Sequence, residues 1–191
     1  MTLTQALLPT ATLGRKALLV LAGSALISLG AQITVPMWPV PMTLQTLAIA
    51  LVGLTYGGRL AALTVLAYLA EGAAGLPVFA GGAGGAAHLV GPTAGFLWGF
   101  VPMAWLTGLL VEKGLDRGVF RLFLAAAIPN LMLYVPGVWW LSQIVGKPLG
   151  WALEKGMLPF VLGDMVKCAI AALIVAGAWK KLAAKGPGAK A

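Results

Sequence analysis

The sequence predicts an all-α integral membrane protein with six transmembrane helices and ordered outer loops that cap a ligand pocket. Of its 191 residues, 60% are hydrophobic and only 9% are charged. A soluble domain carries about 25% charged residues because its surface faces water. Most of this chain's outside must therefore face lipid, and its length suits one membrane domain with a helical bundle over about residues 15–180.

Apolar runs separated by Pro/Gly clusters and charges define the six predicted spans. They cover residues 16–33, 43–56, 59–75, 94–111, 120–144 and 157–180. The second span is short against the roughly 20 residues that cross a bilayer. The first follows two basic residues without a small-residue cleavage site, so we expect a retained signal-anchor helix. The basic, Gly/Ala-rich tail, residues 181–191, is expected to be disordered.

The basic residues predict that both termini lie in the cytoplasm (N-in/C-in). In that orientation two lysines, Lys147 and Lys155, lie outside, and Lys167 lies within a span. The inner side then carries the other ten basic residues: Arg15, Lys16, Arg59, Lys113, Arg117, Arg121, Lys180, Lys181, Lys185 and Lys190. Such an asymmetry sets the orientation of a membrane protein and agrees with an even number of spans.

Two predicted outer loops, residues 35–41 and 75–93, carry no Lys, Arg, Asp or Glu but are rich in Pro, Gly and aromatic residues. Loops of this kind on the face where a substrate arrives are typical of a lid over a pocket. Re-entrant packing that only fills the end of the bundle is the alternative. The lid is favoured because one tight turn would suffice for filling.

The strongest indication of a site is Asp164 and Lys167 in the sixth span. They are three residues apart and so share one helical face. Ionisable side chains at membrane depth are costly and normally mark a functional site. The alternative is an ion pair that neutralises itself and pins two helices together.

Further polar candidates stand near the outer ends of the other spans. Thr43, Gln45 and Thr46 begin the second span, and Tyr68 and Glu71 close the third. Glu71 is either a ligand contact or a carboxylate that reaches the membrane interface.

The second outer loop, residues 75–93 and called the Gly-rich loop below, supplies the remaining candidates. Gly82 and Gly84 would let the backbone approach a ligand closely. His88, taken alone, is more typical of an ordinary loop residue than of a metal or proton site. The small residues of the first span indicate helix packing or, alternatively, a docking surface for another membrane subunit: Ala22, Ser24, Ala25 and Ser28.

Several classes of protein are excluded. One cysteine, Cys168, and one histidine allow neither an internal disulfide nor a multi-Cys or His-based metal centre. The Gly-rich loop lacks the G-K-[ST] of a phosphate-binding loop, so no ATP site is expected. The cations lie between apolar runs, which argues against nucleic-acid binding. Without a nucleophile–base pair, a small membrane enzyme is a weaker alternative, and no cofactor is needed.

Four stretches give the chain a specific resemblance. They are PVPMTLQT (39–46), LAYLAEGAAGLPVFA (66–80), GPTAGFLWGF (91–100) and PFVLGDMVK (159–167). On these motifs, in this order, the chain resembles the BioY family over about residues 17–176. These proteins are the biotin-specific substrate-binding (S) components of energy-coupling factor (ECF) transporters.

The resemblance implies a six-helix subunit of the cytoplasmic membrane that binds biotin from outside. It further implies a transmembrane coupling protein and two ATP-binding subunits as partners, and a toppling motion that carries the vitamin inward. Asp164 and Lys167 match the family's Asp and Lys. An S component for a different vitamin is the alternative.

The chemistry of biotin agrees with these residues. Its ureido ring has two N–H donors and one C=O acceptor, which a carboxylate and an ammonium complement. Lys167 could instead pair with biotin's carboxylate. Phe79 and Tyr68 are candidate apolar walls. In place of a polar side chain the Gly-rich loop offers Gly and Ala, so its contacts would come from its backbone, His88 or Thr93.

Overall fold

A computed structural model of the chain describes residues 2–7 and 12–184. They form eight α-helices: α1 (Leu3–Leu7), α2 (Leu13–Gln32), α3 (Gln45–Tyr56), α4 (Gly58–Ala73), α5 (Ala94–Glu112), α6 (Val119–Val145), α7 (Leu149–Gly156) and α8 (Leu158–Ala184). Two short strands, β1 (Thr34–Val35) and β2 (Met42–Thr43), pair as an antiparallel hairpin between α2 and α3. The all-α prediction is thus confirmed, with this hairpin as an addition.

Four helices, α2, α5, α6 and α8, are long and apolar enough to cross a membrane. α3 is apolar but has only 12 residues, and α4 has 16. Large apolar side chains point outward on the long helices, for example Leu18, Val135 and Leu162, which are 67%, 72% and 78% exposed. Such a surface suits lipid and not water, so the chain is a multi-pass membrane protein.

Each predicted span corresponds to a helix whose ends differ by a few residues. α8 continues to Ala184, so the first four residues of the expected disordered tail are helical. The rest of that tail, residues 185–191, lies outside the described residues. The sequence analysis did not predict α1, α7 or the hairpin because each of these elements is short. α7 in addition lies between Pro148 and Met157, in a stretch whose composition resembles a loop.

Glycines let α5 and α6 approach closely. A Cβ at Gly95 would overlap the side chain of Trp140, and one at Gly137 would overlap the ring of Phe96. Small residues at such contacts are the usual means of packing helices in lipid. This packing fixes the face of α6 that carries Tyr134, one turn from Gly137, and so helps to position the site.

The hairpin reaches across the end of the bundle to α7. Its strands pair Thr34 with Thr43 and Val35 with Met42. At its tip the ring of Trp38 meets Trp151 of α7 edge to face, with 5.9 Å between ring centroids. The prolines that follow the first predicted span, Pro36, Pro39 and Pro41, therefore lie in a hairpin that covers the end of the bundle.

Candidate functional site

A cavity of about 270 Å³ lies beneath the hairpin and the Gly-rich loop, between α3, α5, α6 and α8. Sites for small molecules start at roughly this size. One part of the wall is apolar and is formed by Phe79, Phe96, Leu97, Phe100, Leu133 and Phe160. Another part is polar and is formed by Thr43, Gln45, Thr46, Tyr134, Asp164 and Lys167. A few polar groups within apolar walls are typical of a site for a small organic ligand.

Asp164 and Lys167 form the centre of the polar wall. They are 3% and 8% exposed, and Nζ of Lys167 lies 2.9 Å from Oδ1 of Asp164. The same Nζ donates to the backbone carbonyl of Thr43 at 2.7 Å and to Oγ1 of Thr46 at 3.3 Å. The Thr46 hydroxyl donates to Oδ1 of Asp164 at 2.9 Å. The pair is therefore neutralised within the protein and ties α8 to α3.

The hydrogen-bonding capacity of this pair is unevenly used. The three N–H groups of Lys167 already have three acceptors. Oδ1 of Asp164 accepts two bonds, whereas Oδ2 accepts one, from the hydroxyl of Tyr134. A ligand N–H can therefore bind Oδ2 without displacing a protein group, while a ligand acceptor must compete for Lys167.

Gln45 is held beside this pair by two neighbours. Its Oε1 accepts from the hydroxyl of Thr43 at 2.9 Å, and its Nε2 donates to the hydroxyl of Tyr68 at 2.5 Å. Tyr68 itself is fully buried behind the cavity wall and does not line it. The predicted wall residue Tyr68 thus orients Gln45 and, through an edge-to-face contact, Phe79.

Phe79 anchors the Gly-rich loop over the cavity. Its ring lies against Gly72 of α4, where a Cβ would overlap it. His88 meets this ring edge to face, with 5.9 Å between ring centroids, and both His88 and Thr93 line the cavity. The two predicted loop contacts His88 and Thr93 therefore lie where a ligand could reach them.

Side chains from neighbouring helices hold the loop backbone. Nε2 of Gln32 lies within hydrogen-bond distance of the carbonyls of Phe79 at 3.2 Å and Pro77 at 3.4 Å, and of Ser28 in its own helix at 3.1 Å. The indole groups of Trp98 and Trp140 donate to the carbonyls of Leu89 at 3.1 Å and Gly91 at 2.9 Å. These bonds keep the loop ordered although few of its side chains are large.

Besides Tyr68, three of the predicted ligand residues lie away from the cavity lining. Glu71 accepts a hydrogen bond from Ser24 of α2, which explains a carboxylate at this depth without a ligand. Gly82 adopts φ +75°, which favours glycine, and a Cβ on Gly84 would overlap the carbonyl of Leu76. These two glycines shape the loop, while their neighbours Ala80 and Ala83 line the cavity.

Sequence reasoning missed Tyr134 and the aromatic residues Phe96, Phe100 and Phe160. The signal available for Tyr134 was a phenol in the apolar stretch of α6 that follows Asn130. Nothing in its sequence spacing relates it to Asp164, which is 30 residues away. Among the described residues no three His, Cys, Asp or Glu side chains cluster to hold a metal ion.

Known proteins share this architecture. The BioY family model matches residues 4–184. A protein of Pyrococcus horikoshii named "Probable biotin transporter BioY" is 42% identical over 150 residues, 78% of this chain and 87% of that protein. A Thermotoga maritima protein named "Biotin transporter BioY" is 42% identical over 152 residues, 79% of this chain and 88% of that protein.

A solved structure is similar as well. The crystal structure of the S-component for biotin from an ECF-type ABC transporter superposes with a TM-score of 0.80. The two chains are 26% identical, and the match covers 90% of this chain and 95% of that one. The chain therefore shares its overall fold with that S-component.

Proposed function

The chain belongs to the BioY family, and on that premise we propose that it takes up biotin across the cytoplasmic membrane. It acts as the substrate-specific subunit of an energy-coupling factor transporter and binds the vitamin at the outer face. The observation that carries this proposal is the cavity whose polar wall centres on Asp164 and Lys167. Biotin is the ligand here and not a cofactor.

The ureido ring is proposed to occupy the polar end of the cavity. One ring N–H would donate to Oδ2 of Asp164, which has an unused lone pair. The ring C=O would accept from Lys167 in place of Thr46, the longest of its three contacts at 3.3 Å. The thioether ring would then lie against the apolar wall.

The carboxylate of biotin is proposed to point away from Asp164. A second carboxylate beside Asp164 would bring like charges together, and Asp164 already neutralises Lys167. Towards the Gly-rich loop the cavity instead offers His88 and Thr93. This geometry favours a ring contact for Lys167 over the pairing of Lys167 with the carboxylate.

The chain is proposed to cross the membrane six times, through α2, α3, α4, α5, α6 and α8, with both termini in the cytoplasm. The excess of basic residues on that side supports the orientation. α3 is only about 18 Å long at 1.5 Å per residue, so its span would be completed by neighbouring residues. In this orientation the hairpin, the Gly-rich loop and the cavity face outward.

The proposed partners are a transmembrane coupling protein and two ATP-binding subunits. Ser24 of α2 is buried and Ser28 partly so, whereas Ala22 and Ala25 are exposed. α2 therefore uses part of its small-residue surface for packing and leaves Ala22 and Ala25 outward, where another membrane helix can approach closely. This supports α2 as the docking surface for the coupling protein.

Equilibrium binding of radiolabelled biotin to the detergent-purified protein tests the ligand, with thiamine and riboflavin as competitors. We expect saturable binding that unlabelled biotin displaces and the other two vitamins do not. Displacement by thiamine or riboflavin would assign the protein to a different vitamin. Absence of biotin binding by folded protein would remove the proposed ligand.

A further inference from the structure

A second cavity, of about 450 Å³, lies at the other end of α8. It is formed where the α5–α6 connection meets the last turns of α8, and its wall includes Arg117, Val119, Ala176, Trp179, Lys180 and Leu182. Ala183 on this wall is about 28 Å along α8 from Asp164. The second cavity is thus separate from the proposed biotin site.

The second cavity combines an apolar floor with a cationic rim. Val119, Ala176 and Leu182 supply the floor, while Arg117 and Lys180 are exposed at its edge. The guanidinium of Arg117 lies 4.6 Å from the ring centroid of Trp179, a cation–π contact that holds it at the rim. Asp116 approaches Arg117 at 3.9 Å, and Lys180 adds a further positive charge. The rim is therefore cationic and suits an anion.

Trp179 contributes its ring to the cavity wall. Its Nε1–H is buried without an acceptor among residues 2–7 and 12–184, and it is closed off from the cavity. What Trp179 offers at the cavity is therefore the ring that holds Arg117 and not a hydrogen-bond donor.

From these features we infer that the second cavity binds one anionic glycerophospholipid of the inner leaflet. Its phosphate lies between Arg117 and Lys180, and an acyl chain covers the apolar floor. The placement in the inner leaflet rests on the orientation proposed above. Basic pockets between helices on the cytoplasmic side suit anionic lipid headgroups. A free phosphate would leave the apolar floor uncovered.

Native mass spectrometry of the full-length protein tests this inference. The protein is mixed with equal amounts of phosphatidylglycerol and phosphatidylcholine that carry the same acyl chains. We expect one tightly held lipid and a preference for phosphatidylglycerol of about fivefold, because Asp116 offsets one of the two rim cations and each net cation near an anionic headgroup contributes about fivefold. The double variant R117Q/K180Q should lose the preference.

The matched control is R121Q/K181Q. It removes the same charge at the same end of the bundle, from two exposed residues that do not line the cavity. It should keep the preference. Equal retention of both lipids by the unmodified protein, an unchanged preference in R117Q/K180Q, or an equal loss in both double variants would each overturn the inference. So would displacement of the lipid by inorganic phosphate, which would indicate a phosphate site without lipid.

Biotin binding is measured on the same samples. Both double variants should bind biotin as the unmodified protein does, because their substitutions are remote from the first cavity. Failure of biotin binding in the unmodified protein would remove the proposed ligand and leave the lipid result intact. Conversely, loss of the lipid preference alone would leave the proposed function intact.

Discussion

The hydroxyl of Tyr134 on α6 donates to Oδ2 of Asp164 on α8 across 2.6 Å. Asp164 is thereby joined to α6 as well as to α3, where it accepts from Thr46, while its partner Lys167 donates to the carbonyl of Thr43 on β2. A single buried carboxylate thus links three helices at the cavity wall. Ligand binding and the packing of these helices should therefore depend on the same residues.

Removal of the Tyr134 hydroxyl should weaken biotin binding. Y134F keeps the ring but deletes a hydrogen bond to a charged group, which is worth about 1.5–3 kcal/mol, so Oδ2 is no longer held in position. We expect the dissociation constant for biotin to rise roughly tenfold or more in equilibrium binding. Y56F, on α3 away from the cavity, is the control and should bind as the unmodified protein does. Equal affinity of Y134F and Y56F would contradict the role of Tyr134.

Removal of one partner of the buried pair should destabilise the fold more than removal of both. K167M leaves Asp164 charged and without its cation, at a cost of about 3–5 kcal/mol. In D164L/K167M no buried charge remains, and much of the lost stability should return. Thermal unfolding in detergent measures this difference. Neither variant should bind biotin, and a double variant less stable than K167M would refute the account.

Gly72 should be required for the position of the loop. In G72A the added Cβ overlaps the ring of Phe79, and such over-packing costs about 1–3 kcal/mol. We expect weaker biotin binding at nearly unchanged helix content, measured by equilibrium binding and circular dichroism. The control is G177A on α8, where nothing lies within 4 Å of a new Cβ. Wild-type affinity in G72A would show that biotin binding does not depend on the contact between Phe79 and Gly72.

Gln32 should slow the release of ligand. Its amide nitrogen shares two hydrogens among the carbonyls of Ser28, Phe79 and Pro77, which leaves about one bond for the loop, worth about 0.5–1.5 kcal/mol. In Q32L we expect biotin to dissociate up to about tenfold faster in a filter or dilution assay. Q143L, which changes an exposed glutamine of α6, serves as the control. An unchanged dissociation rate in Q32L would mean that the loop does not gate release.

The helices could be predicted from the sequence because hydropathy is a local property. The relation of Asp164 to Lys167 was equally predictable, since three residues on one helix share a face. The family was predicted from four motifs and is confirmed by the family model and by relatives named biotin transporters. Because the relatives are named biotin transporters, the prediction of a transport protein and not an enzyme is confirmed as well.

Contacts between helices could not be predicted from the sequence because no spacing rule relates segments that are far apart along the chain. Tyr134 was missed for this reason, and neither alternative for Glu71 included its hydrogen-bond partner Ser24, 47 residues earlier. The sequence likewise could not relate Tyr68 to Gln45, which donates to its hydroxyl. That Gly82 and Gly84 approach a ligand stays a prediction, and the structure adds a positive φ at Gly82 and a close backbone contact at Gly84.

The most direct test of the central claim is biotin binding by D164N, measured beside the control E154Q. Glu154 is an exposed acid on α7 paired with Lys155, so E154Q removes the same charge from outside the cavity. The account predicts that folded D164N loses biotin binding while E154Q binds with unchanged affinity. Binding by D164N at the affinity of the unmodified protein would contradict the account, because Asp164 would then have no part in the site.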